Sequence, residues 1–342
     1  VQRPSVASSD KSNNQQSGCP YREAELPSNG DKKILQTAGL LTQLIQINLF
    51  QEAGCFRLRS SLSLQLKEEK MKIGMFTSGY QRNDIEDIFR DAKRFGYDYI
   101  ELWGARPHAY PYDLKRGGKE ELRRLIDKYE IPVKAYTPEH NAYPYNYMAG
   151  DEHQWRDSID YLRTAIDMGS EIGADFTIIS AGHAGYDATR SQKWERLTRS
   201  IRELADHAQE REHMLLIEAL TPFESNVCTS SDDLCDIISY IDSPWLGAMC
   251  DIVPPYVQHE SIMSCFKKLG KSLKHLHIVD SDGKSDTHFL PGEGNIPLRE
   301  LLMEIEDYGY QGSATIELVT AYINEPSLYA RRAIDSFRDI YR

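Results

Sequence analysis

An α/β fold, a (β/α)8 TIM barrel beginning at Met71, is what this sequence predicts, and three observations predict it. Short β-like runs alternate with helical patterns from Met71 to the C-terminus, and eight such pairs can be counted. That stretch, 71–342, is close to the roughly 250 residues that such a barrel takes. Runs five to eight also carry a carboxylate or an imidazole near their ends, where barrel strands place their chemistry.

The first run, 72–76, precedes a helix with Asn83 or Asp84 as N-cap, apolar Ile85, Ile88, Phe89, Ala92 and Phe95 at helical spacing, and Gly96 as its stop. Strand two covers 97–103 and its helix 119–129. Strand three, 132–136, leads through an aromatic loop to a helix marked by Trp155, Ile159, Leu162 and Ile166. Strand four is 175–180, with a helix over about 192–212. Strand five, 214–218, precedes a helix near 231–241, and strand six, 246–250, one near 261–269. In strand seven, 273–279, alternation sends His275 and His277 to one face and Leu276 and Ile278 to the other. A helix near 298–308 follows; strand eight, 313–318, and a helix over 327–341 complete the set. A doubly wound open sheet is the structural alternative. It would carry a glycine-rich phosphate loop after its first strand, and Thr77-Ser78-Gly79-Tyr80 is not one.

Residues 1–70 have a different texture. Ser, Asn, Gln, Gly and Pro fill 1–31, a composition that cannot bury enough apolar surface to offset chain entropy, so disorder is expected there. Residues 32–66 hold more leucine and could form a short helix or two. Lys67-Glu68-Glu69-Lys70 can be encoded as an unbroken purine tract of the ribosome-binding kind, which suggests that 1–70 is upstream sequence read through from a misassigned start.

The most apolar span, 34–50, is interrupted by Gln36, Thr37, Thr42, Gln43, Gln46 and Asn48, and nothing reaches the roughly 18–20 apolar residues of a transmembrane helix. The net charge is −12; nine Lys/Arg against seven Asp/Glu in 1–70 make +2 there, leaving −14 for the barrel segment. A field of that sign repels a phosphate backbone and counts against nucleic-acid partners. Six cysteines (19, 55, 228, 235, 250 and 265) form no CxxC pair, which fits thiols in a reducing cytoplasm.

Strands five to eight contribute Glu218, Asp251, His277 and Glu317 in turn to one rim. A single strand-end carboxylate is usually a cap or a solvated charge, but four such residues on consecutive strands converge. Three carboxylates and an imidazole, without cysteine, suit one divalent ion (Mn²⁺, Mg²⁺, Co²⁺ or Zn²⁺) and disfavour a structural zinc. His183 ends strand four and His288 sits past strand seven; either could bind substrate oxygens or be a satisfied rim residue. Trp103, Phe76, Tyr143 and Tyr145 could wall a substrate.

The ligand order resembles the xylose-isomerase-like barrel superfamily, which includes ketose 3-epimerases, hydroxypyruvate isomerases and endonuclease IV. More narrowly, residues 220–226 (Leu-Thr-Pro-Phe-Glu-Ser-Asn), 255–258 (Pro-Tyr-Val-Gln), 275–282 (His-Leu-His-Ile-Val-Asp-Ser-Asp) and 317–320 (Glu-Leu-Val-Thr) resemble the fructoselysine 3-epimerases. So do 71–76, 106–108, 150–153, 183–186 and 324–326. The likeness covers 71–342 and none of 1–70. It implies C3 epimerisation of an Amadori ketosamine, fructoselysine to and from psicoselysine, through an ene-diolate stabilised by the divalent ion. Glu218 and Glu317 would double as ligands and as acid/base groups on the two faces of C3, while Asp251 and His277 would only hold the metal. Glu224 corresponds to a carboxylate that contacts substrate hydroxyls in related ketose epimerases. The partners implied are a small sugar-amine, no membrane, and a homo-oligomer of the kind relatives often form.

Two departures qualify the resemblance. Epimerases of free sugars carry a His three residues after the metal Asp, where this chain has Pro254, and an Arg after the metal His, whereas no Arg lies between His277 and Pro291. Both losses are compatible with a substrate whose C1 bears an amine. The Lys-Pro pair after the strand-five Glu of xylose isomerases is replaced by Ala219-Leu220-Thr221, which disfavours a two-metal hydride shift. Other ketose or ketose-phosphate epimerases or isomerases, an endonuclease IV-like nuclease (echoed in His183 and Asp286-Thr287-His288) and a noncatalytic sugar-binding or metal-storing barrel are the rivals.

Overall fold

The computed structural model describes residues 71–141 and 144–342. The expected disorder, leucine-rich helices and misread start of 1–70, and the placing of Tyr143 in the substrate wall, lie outside the described residues.

Among the described residues eight parallel strands pair in chain order and close on themselves. They are β1 (Ile73–Phe76), β2 (Tyr99–Gly104), β3 (Val133–Pro138), β4 (Phe176–Ser180), β5 (Met214–Glu218), β6 (Leu246–Asp251), β7 (Leu273–His277) and β8 (Ser313–Ile316), with β8 returning to β1. The alternating helices are α1 (Ile85–Phe95), α2 (Lys119–Tyr129), α3 (Glu152–Glu171), α4 (Arg190–Glu210), α5 (Ser231–Ile241), α6 (Ile262–Leu269), α7 (Leu298–Asp307) and α8 (Pro326–Ile340). The eight expected strand–helix pairs are all found, and no described helix is long and apolar enough to cross a membrane.

Boundaries differ from expectation where backbone pairing outlasts the apolar run. β2 continues to Gly104 and β3 to Pro138 because these two residues pair, and a Cβ on Gly104 would stand 2.7 Å from Pro138 Cα. β7 stops at His277, two residues early, because Asp280 turns away to bridge antiparallel to Phe289.

Helix starts follow the capping chemistry. Asp84 rather than Asn83 caps α1, accepting from Glu86 N at 2.9 Å, and Gly96 ends the helix at φ 77°. Reciprocal capping boxes open α3 (Asp151 with Gln154), α4 (Thr189 with Gln192) and α5 (Ser230 with Asp233), each cap contributing about 1 kcal/mol.

Two apolar layers hold the barrel. Ile100, Leu102, Leu215 and Ile217 point outward into the core shared with Ile88, Phe89, Ile201 and Leu204 of the helices. Ala135, Phe176, Ile178, Leu216 and Met249 fill part of the interior as a separate cluster. On the β2, β7 and β8 side the inward positions are polar: Tyr99, Glu101, His275, His277, Ser313 and Thr315 are all buried. Tyr99 reaches across β1, donating to the Ala314 carbonyl, and a Cβ on Gly74 would lie 2.1 Å from its ring.

Candidate active site

Glu218, Asp251 and His277 are the last residues of β5, β6 and β7, and Glu317 follows β8 by one position. Parallel barrel strands all end on the same rim, so the four side chains meet. His277 Nδ1 lies 2.7 Å from Glu317 Oε2 and 3.7 Å from Glu218 Oε1. Two sets of donor atoms, Glu218 with Asp251 and His277, and Asp251 with His288 and Glu317, each lie within 4.8 Å of one another. Close as it is to Glu317, Nδ1 lacks hydrogen-bond geometry and is a buried nitrogen without a directed partner. A buried imidazole nitrogen facing two carboxylates without a directed partner calls for a cation among them, a proton or a metal, and this oxygen and imidazole set fits a divalent ion.

His288 comes to the cluster from the loop after β7, and the loop's construction explains how. Asp280 and Phe289 exchange backbone hydrogen bonds of 2.9 and 2.8 Å, turning the chain back on itself. The Asp280 carboxylate then receives the backbone N–H groups of Gly292 at 3.0 Å and Ile296 at 2.9 Å. A Cβ on Gly294 would stand 2.4 Å from Asp280 Oδ1, so the Pro291-Gly-Glu-Gly294 turn needs its second glycine there. So anchored, His288 donates through Nε2 to Asp251 Oδ2 at 2.8 Å and stands 3.4 Å from Glu317 Oε2. Asp251 Oδ1 accepts from Val253 N at 2.9 Å, at the start of the helical turn Val253–Val257 that holds Pro254.

The cluster's charges perturb one another. Burial would lower the His288 imidazole, but Asp251 and Glu317 push it up to about 10. Burial also opposes protonation of His277, and Glu101 and Glu317 nonetheless hold it well above the usual imidazole range. Burial raises Glu218 well above the ordinary carboxylate range; His277 pulls the other way, and Glu317, Asp251 and Glu224 add to the rise. For Asp251 the burial effect is outweighed by His288 and His277, and its carboxyl lies below the ordinary range.

Glu224 stands on the β5–α5 loop, its Oε2 accepting from Thr221 Oγ1 at 3.3 Å. Desolvation, then repulsion from Asp286 and Glu317, pushes its carboxyl up to about 7, although its outer edge is open to water, which weakens the first effect. Asp286, expected only as an echo of a nuclease motif, is close enough to repel Glu224: one of its carboxylate oxygens is buried without a partner, and burial raises its pKa. Neither carboxylate is bridged by a lysine or arginine among the described residues.

Of the other expected residues, Phe76 touches the cluster, while His183, Trp103 and Tyr145 have partners outside it. His183 is three residues beyond β4; its Nδ1 accepts from Gly185 N at 3.0 Å and its ring packs edge-on against Tyr186. Trp103 donates through Nε1 to Glu139 Oε2 at 2.9 Å. Phe76 is buried against the His277 ring, with centroids 5.7 Å apart, and Tyr145 stacks on Tyr161 at 4.0 Å. The residue that sequence reasoning passed over is Glu101, wholly buried on β2 between His275 and His277. Its signal was present: Tyr99, Glu101 and Trp103 alternate onto the inner face, and a carboxylate in mid-strand there needs partners.

Residues 89–340 match the model of the xylose isomerase-like TIM barrel family. The chain belongs to that family. Within it, fructoselysine 3-epimerase of Shigella flexneri is 53% identical over 268 residues, 78% of this chain and 97% of the relative. Fructoselysine 3-epimerase of Escherichia coli O157:H7 matches at 53% over the same share of this chain and 98% of its own length. Among solved structures, D-psicose 3-epimerase from Clostridium cellulolyticum H10 superposes with a TM-score of 0.65 at 19% identity, over 79% of this chain and 98% of that one, a likeness of fold.

Proposed function

We propose that this chain is a divalent-metal-dependent carbohydrate 3-epimerase whose substrate is an Amadori ketosamine, fructoselysine interconverting with psicoselysine. What carries this is the 53% identity to a fructoselysine 3-epimerase across 97% of its length, in a chain whose rim gathers Glu218, Asp251, His277 and Glu317. Glu218, Asp251, His277 and Glu317 would hold the ion, with Mn²⁺ the first to try and Mg²⁺, Co²⁺ and Zn²⁺ alternatives. When bound, it supplies Lewis-acid stabilisation for the negative charge that develops on O2 and O3.

The chain's own residues move the proton. Glu218 and Glu317 rise from β5 and β8, on either side of the β6 and β7 ends, so a C3 carbon seated between them has a carboxyl group on each face. One abstracts the C3 proton, which the adjacent carbonyl acidifies, and the other returns a proton to the opposite face. Asp251 and His277 orient the centre without moving protons. His288 stands where a cationic donor can bind substrate oxygen, and His183 and Trp103 would line the outer wall.

The amine at C1 fits the acidic outer rim. Pro254 offers no side-chain donor, and Glu224 and Asp286 are the carboxylates that would receive a protonated C1 amine. The test is product analysis: the chain with Mn²⁺ and fructoselysine should yield psicoselysine, separable by chromatography, and none after treatment with EDTA. Absence of product with metal present would point to another ketose.

A further inference from the structure

Glu101 lies across the barrel interior from β7, with β1 and β8 between its own strand and that one. Its Oε1 accepts from His277 Nε2 at 3.0 Å and from Thr137 Oγ1 at 2.8 Å, and its Oε2 from His275 Nε2 at 2.9 Å. An ionised carboxylate can only accept, so each imidazole presents an Nε2–H to it. For His275 the other nitrogen takes the Ser313 hydroxyl at 2.8 Å. For His277 the other nitrogen is Nδ1, the atom that faces Glu218 and Glu317.

A charge is an expensive way to fill a barrel. Leu216 and Met249 fill inward positions on β5 and β6 without desolvating one. Satisfying a buried imidazole does not require a charge either, since Ser313 serves His275 Nδ1 with a neutral hydroxyl. What a carboxylate adds is a fixed tautomer, a fixed ring plane and a more basic remaining nitrogen, the features an imidazole needs as a metal ligand. Phe76 packs against the same ring and restricts its tilt.

Resting on the reading of the rim cluster as a divalent-cation site, we propose that Glu101 is the positioning residue of that site: it holds His277 as the Nε2–H tautomer, with the Nδ1 lone pair aimed at the ion. Glu101 acts through His277 and touches no substrate. His275, clamped between Glu101 and Ser313, fixes the second carboxylate oxygen so that the first stays aligned.

Glu101→Gln tests this, because the amide keeps the volume and one acceptor for His277 Nε2–H while removing the charge. The full chain is titrated with Mn²⁺ by calorimetry. The wild type should bind, and E101Q should bind roughly 10- to 100-fold more weakly, with an unchanged circular dichroism spectrum and no lower thermal midpoint of the metal-free protein. A mere barrel filler would leave Mn²⁺ affinity at the wild-type value, and that result overturns the proposal. If the wild type binds none of Mn²⁺, Co²⁺ or Zn²⁺, the cation-site reading itself fails and Glu101 loses its role with it, an outcome distinct from the first. Should E101Q not fold, long-range ¹H–¹⁵N NMR of the Zn²⁺-loaded wild type reads His277 directly. Protonated Nε2 with metal-bound Nδ1 supports the assignment, and the reverse overturns it.

Discussion

Asp251 Oδ2 and His288 Nε2 meet at 2.8 Å, which ties a loop residue from beyond β7 to the end of β6. His288 therefore borders both Asp251 and Glu317 while belonging to neither strand. Replacing it with Asn removes a charge-assisted contact worth about 1.5–3 kcal/mol. His288→Asn should lower kcat/KM by roughly 10- to 100-fold, mainly through KM. Steady-state kinetics checks this, and an unchanged KM would remove His288 from the substrate site.

Glu317→Gln and Glu218→Gln each take one carboxylate from the pair flanking C3. Either variant should retain Mn²⁺ binding, weakened, while C3 exchange falls well below a tenth of wild type, since general acid–base groups contribute about 10²–10⁴-fold. Exchange retained above about a tenth in Glu317→Gln would count against its acid/base role.

Asp286 and Glu224 offer unbridged carboxylates on the outer rim. If they receive the C1 ammonium, Asp286→Asn should raise KM for fructoselysine about tenfold or more, the worth of one charge-assisted hydrogen bond. KM for an uncharged ketose such as fructose should change little. Equal changes for both substrates would mean that Asp286 shapes the rim without reading the amine.

Acid sensitivity should follow from His140 and His213. Burial holds each imidazole at about 4, and His213 is bonded to Thr177 Oγ1 while His140 Nε2 accepts from Ser180 N. Their unfolded value is 6.5, so between pH 6.5 and about 4 the unfolded chain binds more protons than the folded one. The contribution of each neutral imidazole is therefore intact above pH 6.5 and is lost as pH falls toward 4, on the order of 2 kcal/mol each by pH 5. Urea titrations across this window should show stability declining with acid, and His213→Gln should flatten the slope by up to one proton. An unchanged slope would show that His213 is not buried neutral.

The rim was legible in the sequence because strand-terminal carboxylates and imidazoles announce themselves when four consecutive strands end alike. The barrel was legible for a similar reason, since each βα unit carries its own local period. Glu101 was legible only in part: alternation with Tyr99 and Trp103 turns it inward, but its partners lie on β7, distant in sequence and across the barrel, so nothing local names what it pairs with. Asp286 was noticed only as part of a motif, and its proximity to Glu224 depends on how the β7 loop folds back through Asp280 and Phe289. The overrun of β2 into Gly104 was likewise hidden, because it rests on pairing with Pro138 rather than on the apolar content of its own run.

Proton NMR of fructoselysine incubated with the chain and Mn²⁺ in D₂O, with an EDTA-treated control, tests the proposed chemistry most directly. Loss of the C3 proton signal with growth of psicoselysine, only when metal is present, is the result expected of proton transfer between Glu218 and Glu317. Epimerisation with the C3 proton fully retained would contradict that route, and no change at all in metal-replete protein would contradict the substrate.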